Sequence, residues 1–115
     1  MLTNAKIGIL GGEERQAALS RRLSEIGFEV AVWGLLQGDI GDGVRCADWH
    51  SAVDKSKAVI LPLPSFQRGN YTITSKTTGE VVTLSELLYA MPKNAILLVI
   101  IVLLNDIWIN QKQML

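Results

Sequence analysis

Short unbroken apolar runs punctuate this chain, each bounded by glycine, proline or charge. Ile7-Gly8-Ile9-Leu10 is continuous rather than alternating, as a parallel strand covered on both faces requires. Gly11-Gly12 turn the chain, and the charged stretch Glu13-Glu14-Arg15-Gln16 follows at once. The spacing predicts a helix from about Glu13 to Ile26. Leu19, Leu23 and Ile26 fall at i, i+4 and i+7 with Ala18 beside them, so this stripe is expected to face the sheet. Arg15, Gln16, Ser20, Arg21 and Glu25 fall largely elsewhere. Glu13 and Glu14 suit the positive end of the helix dipole, and Gly27 suits a left-handed C-cap.

The pattern then repeats. Phe28 to Trp33 reads as a second strand, and Gly34 to Gly43 as a glycine-rich loop. Asp48 is placed to cap a short helix through about Ala52 or Lys55. Lys57 to Leu61 is a third strand, ended by Pro62. Pro62-Leu63-Pro64-Ser65 then leads a loop at the same carboxyl edge as Gly11-Gly12. Tyr71–Thr74 and Val81–Thr83, with a turn at Gly79, form either a small hairpin or part of an irregular excursion. Thr83 or Ser85 caps a short helix through about Ala90, and Met91-Pro92 stops it. Asn94 to Val102 is a fourth strand.

These elements predict an α/β fold: a small parallel, Rossmann- or flavodoxin-like three-layer sandwich of about four strands. A single domain is expected over 6–104, followed by an atypical tail over 105–115. Ala95 to Leu104 is wholly apolar, but a membrane-spanning helix needs about 20 such residues. The run is therefore expected to be a buried strand. After Pro92 no glycine or proline turn signal occurs. The expectation is a truncated or frame-shifted end, or a cut at a domain boundary.

Composition narrows the function classes. A chain of 115 residues suffices for one core. Lys plus Arg and Asp plus Glu balance at 11 each, so no basic excess points to nucleic acid. Cys46 is the single cysteine, which rules out an internal disulfide. The first residues lack a basic segment followed by an apolar one. A cytoplasmic location is expected.

The Gly-Gly turn invites a dinucleotide reading. The fingerprint is G-x-G-x-x-G with an acidic residue at the end of the second strand. Here the third glycine is missing, two glutamates crowd the phosphate position, and Trp33-Gly34 stand where the acid belongs. A turn chosen for backbone shape is the stronger reading, with a stand-alone nucleotide- or anion-binding module as the alternative. Arg15 could clamp a carboxylate, or be a solvated residue pairing with nearby glutamates. Ser65 could hold a carboxylate from the facing loop, or serve the turn. His50 lacks companions for a metal, Cys46 lacks a base, and Trp33 and Trp49 suit packing. No catalytic or metal-ligating set can be assembled.

The string Gly8-Ile9-Leu10-Gly11-Gly12-Glu13-Glu14-Arg15-Gln16 resembles the opening of the dipicolinate synthase A chain, where a strand runs into Gly-Gly-Asp/Glu-x-Arg-Gln. The resemblance continues through Val32-Trp33-Gly34, Cys46 and Val59-Ile60-Leu61-Pro62-Leu63-Pro64, covering roughly Lys6 to Leu98. It implies an N-terminal α/β domain that in the family precedes a true Rossmann domain, where NADP is expected to bind. It also implies a flavoprotein-like partner, the dipicolinate synthase B subunit, and a small dicarboxylate substrate converted to dipicolinate in sporulating bacteria. This chain would then help form the substrate cleft without being catalytic alone. Gly11, Gly12, Arg15, Gln16, Pro64 and Ser65 are the expected substrate-binding residues. No nucleic acid or membrane is implied, and self-association is possible. A third reading is a non-catalytic interaction fragment.

Overall fold

The computed structural model describes residues 5–62, 65–67 and 69–99. In chain order the elements are β1 (Lys6–Leu10), α1 (Glu14–Ile26), β2 (Glu29–Trp33), β3 (Val44–Arg45), α2 (Trp49–Val53) and β4 (Ala58–Leu61). They continue with β5 (Ser65–Gln67), β6 (Asn70–Thr74), β7 (Val81–Thr83), α3 (Leu84–Ala90) and β8 (Ile96–Val99). Five strands form one parallel sheet in the order β3-β2-β1-β4-β8. Counted among themselves the parallel strands run third, second, first, fourth, fifth, the Rossmann order. The order reverses between β1 and β4. Strands β5, β6 and β7 form a separate antiparallel sheet.

Alternation along the central strands divides the core in two. Ile7 and Ile9 of β1, Val30 and Val32 of β2 and Ile60 of β4 pack with Ala17 of α1. Leu10, Ala31, Trp33, Val59 and Leu61 face the other way, onto Trp49, Ala52 and Val53 of α2, Leu87 of α3, and Ile73 and Val82. Both faces are covered, which is why β1, β2 and β4 read as unbroken apolar runs. Trp33 and Trp49 are both buried packing residues, as expected. Gly8 has a steric role: a Cβ there would lie 2.6 Å from the carbonyl oxygen of Ala52, so α2 packs directly on the backbone of β1.

The predicted face of α1 needs correction. Leu19 and Leu23 do touch the core, but Ile26 is half exposed, whereas Gln16, Ala17 and Ser20 are buried. The cause is the glycine-rich loop, which lies flat along the helix. The Ser20 hydroxyl donates to the Ile40 carbonyl at 2.8 Å. A Cβ on Gly43 would lie 2.6 Å from the Ser20 Oγ, and one on Gly41 3.0 Å from the Arg21 Cα. Arg45 holds the loop from the sheet side by donating to the Gly38 carbonyl at 2.9 Å.

The other local signals behave as expected. Gly27 ends α1 with φ 116°. Asp48 caps α2 through the Ser51 N–H, and Thr83 with Glu86 forms a capping box on α3. Of the two readings for 71–83, the hairpin is correct, and it gains β5 as a third strand. The last strand differs from the expected buried one: Ile96 and Leu98 of β8 are 59% and 48% exposed, because no described helix covers that face at the sheet edge. Residues 100–115, including the tail, lie outside the described residues. Among the described residues no helix is long and apolar enough to cross a membrane.

Two outcomes follow. Gly8→Ala forces α2 off the sheet and costs about 1–3 kcal/mol, read as a lower urea midpoint with an unchanged m-value. Asp48 is held below the ordinary aspartate value, chiefly by the Ser51 N–H and hydroxyl. Its cap is therefore intact above the ordinary aspartate range and is lost as the pH falls through the lowered value. Amide exchange at Ser51, followed into acid, should rise in that window before it rises in β1.

Candidate functional site

Ligands of open α/β sheets bind where the strand order reverses, outside the carboxyl ends of the strands. Here that place lies beyond Leu10 of β1 and Leu61 of β4, at Gly11-Gly12 and Pro62. Both glycines have positive φ, 67° and 97°, a conformation that costs other residues about 1–2 kcal/mol. The turn is tied to the end of β2: the Gly11 N–H donates to the Trp33 carbonyl at 2.6 Å, and the Leu36 N–H to the Gly12 carbonyl at 3.4 Å.

The chain fills much of this crevice itself. A Cβ on Gly11 would lie 2.9 Å from Ile73 Cγ2, 3.3 Å from Pro62 Cγ and 3.5 Å from the Thr74 carbonyl oxygen. A Cβ on Gly34, just past β2, would lie 3.0 Å from the Ser75 Cα. The Lys76 N–H donates to the Gly34 carbonyl at 2.8 Å, and the Lys76 ammonium lies 3.8 Å from a Glu13 carboxylate oxygen. The Tyr71 hydroxyl donates to the Pro62 carbonyl at 3.4 Å. The β6–β7 hairpin thus sits over the ends of β1 and β2. Its turn is internally braced, with the Ser75 Oγ accepting from the Thr77 and Thr78 N–H groups at 3.2 Å each. Ile73, Pro62 and Thr74 therefore leave no room for a side chain at position 11. The hairpin is the feature that local motif reading left undecided, and it bears most on the site.

The N-terminus of α1 remains open. Its N-cap, Glu13, makes no side-chain capping bond, whereas α2 and α3 are both capped. The Gln16 and Ala17 N–H groups donate to the Glu13 carbonyl at 3.0 and 3.2 Å, which leaves the Glu14 and Arg15 N–H groups without an intrahelical acceptor; with the helix dipole these favour an anion. Arg15 projects from this turn, exposed; its guanidinium makes no hydrogen bond or ion pair with a described residue. Of the solvated-residue reading, the exposure is what the structure has, while no pairing with neighbouring glutamates is made among the described residues. Gln16 is the surprise: it is 3% exposed, and neither its Oε1 nor its Nε2 finds a partner among the described residues. Its side chain runs back along Gly12, where a Cβ would lie 2.4 Å from the Gln16 Cγ.

The facing loop is less informative. Pro62 is at the turn, as expected, while Pro64 lies outside the described residues. Ser65 belongs to a strand, β5, paired with Thr72, rather than to a free loop. Gly11, Gly12, Arg15 and Gln16 are therefore gathered at one turn, and the structure does not add Ser65 to them as a loop residue.

Elsewhere the chemistry is sparse. Burial pushes the Cys46 thiol above its ordinary value, the opposite of the shift that activates a cysteine nucleophile. His50 is exposed and stacks on Trp49 with ring centroids 3.7 Å apart. It lines an open groove of about 410 Å³ with Trp49, Ser85, Glu86, Tyr89 and Ala90. Glu86 is already engaged in capping α3, so the groove holds no acid–base pair free for chemistry. Among the described residues no three His, Cys, Asp or Glu side chains group as a metal site.

A search of curated proteins finds no match. The family model for the N-terminal domain of the dipicolinate synthase A chain matches residues 6–110, nearly the whole chain and past the end of β8. With the Rossmann strand order and the Gly-Gly-x-x-Arg-Gln turn in place, the protein belongs to the family of dipicolinate synthase A-chain N-terminal domains.

Proposed function

We propose that this chain serves as the substrate-side domain of a dipicolinate synthase A chain, acting in the cytoplasm during sporulation. It supplies a carboxylate-binding wall of the cleft and is not catalytic alone. One observation carries this reading: the uncapped N-terminus of α1 presents the Glu14 and Arg15 N–H groups beside the Arg15 guanidinium, which has no partner among the described residues. Donors of that kind hold a carboxylate and cannot accept or deliver hydride. Gly11 and Gly12 let a ligand approach the backbone closely, and Pro64 and Ser65 are the expected contribution of the segment after β4. The redox chemistry belongs to a second, NADP-binding domain, and the dipicolinate synthase B subunit is the expected partner. The exposed carboxylates of Glu13 and Glu14 at the start of α1 count against the alternative of a nucleotide-binding module.

Calorimetric titration tests the reading. Pyridine-2,6-dicarboxylate is expected to bind this chain, and NADPH is not. Arg15→Ala should weaken dicarboxylate binding by about tenfold or more, the loss of one charge-assisted contact. Because Arg15 is exposed, the thermal midpoint should stay nearly unchanged. Dicarboxylate binding that is indifferent to Arg15, or saturable NADPH binding, would overturn the assignment.

A further inference from the structure

Helices α2 and α3 pack on the opposite face of the sheet from α1, so the groove between them is separate from the carboxylate site. Leu87 anchors α3 in the core. Helical spacing then sets Glu86, Tyr89 and Ala90, at i, i+3 and i+4, along one side of α3, and all three line the groove. Across from them Trp49 is buried, and His50 lies over it with ring centroids 3.7 Å apart. Tyr89 is 95% exposed, the most exposed large hydrophobic side chain among the described residues. The groove thus has aromatic rings on both of its sides.

Its charge is of one sign. The Glu86 Oε1 accepts from the Thr83 N–H and hydroxyl at 3.3 and 2.9 Å, while its Oε2 has no partner among the described residues. Asp48 adds a second carboxylate at the rim, its Oδ1 3.9 Å from the His50 Nδ1. No lysine or arginine among the described residues lines the groove. Aromatic faces beside a carboxylate attract a cation. A guanidinium suits them best, because it stacks flat on a ring while its N–H groups reach the acid. A groove of about 410 Å³ that is open along one side would leave a free small molecule largely wet. A side chain delivered by another protein surface would close it. We propose that the α2–α3 groove is a docking surface for an arginine side chain presented by a partner protein, with Tyr89 stacking on the guanidinium and Glu86 pairing with it.

Three capped tripeptides, glycine–X–glycine, serve as probes, with arginine, citrulline or lysine at X. Citrulline keeps the length and planarity of arginine and loses the charge; lysine keeps the charge and loses the plane. Amide-proton spectra of the isotope-labelled chain are titrated with each. The arginine peptide is expected to move the His50, Glu86, Tyr89 and Ala90 signals and to bind about threefold tighter than the other two. Tyr89→Ala should weaken the arginine peptide with the thermal midpoint nearly unchanged, since that ring is exposed. Glu86→Gln keeps the capping geometry, because glutamine serves a capping box as glutamate does. It should bring the arginine peptide down to the citrulline level. Equal binding of arginine and citrulline would overturn the ion pair, and equal binding of arginine and lysine the stacking. Signal changes confined to other parts of the chain, or none, would overturn the site. Shifts of the groove signals with protein concentration alone would assign it to a second copy of this chain and overturn the proposed partner.

Discussion

The constraint on which this fold depends is the enclosure of β1. It is paired on one edge by β2 and on the other by β4, and it is covered on one face by α1 and on the other by α2. Nothing but glycine fits at position 8, because the α2 backbone occupies the place of a side chain. Nothing but glycine is comfortable at 11 and 12, because the chain must leave the sheet at once and start a helix. The anion-accepting end of α1 is a by-product of that enclosure. A strand held this rigidly delivers the first turn of its helix to a fixed point on the sheet rim.

The hairpin gives the domain its own version of the Rossmann crevice. In a dinucleotide-binding domain the space above the Gly-rich turn is left for phosphates. Here Ile73 and Pro62 pack closely against Gly11 itself. Ile73 and Val82 are at the same time core residues, buried with Leu10, Trp33 and Leu61. The β6–β7 ribbon is therefore part of the hydrophobic structure and no loose lid. What remains for a ligand is the margin around α1, where the exposed groups are backbone donors, the Arg15 cation and the carboxylates of Glu13 and Glu14.

Much of the fold was legible because its determinants are local. The unbroken runs at 7–10, 30–33 and 58–61 announce strands covered on both faces. Gly27, Asp48 and Thr83 mark helix ends by mechanisms that depend on a few neighbouring residues. The face of α1 was less legible, because an amphipathic stripe assumes that the sheet is the only thing to pack against. The loop 34–43 claims a second side of the helix, so Gln16 and Ser20 go inside and Ile26 stays out. The three-residue pairing of β5 with β6 and the two-residue β3 were too short for periodicity to reveal. At the site, Gly11, Gly12 and Arg15 could be named from one contiguous motif. The hairpin's position above them depends on contacts from residues roughly sixty places away, which no local pattern encodes.

The strand order has a consequence for how the chain comes into being. β1 leaves the ribosome before the other described strands, yet it ends in the middle of the sheet. Until β4 emerges, one edge of Ile7 to Leu10 has no neighbour, and the cover over Leu10 is incomplete until the hairpin and α3 arrive. A nascent chain of this design carries an adhesive segment through much of its own synthesis. Slow translation between β2 and β4 would lengthen that exposure, and the Gly-Gly turn would be among the last parts of the molecule to acquire its final surroundings.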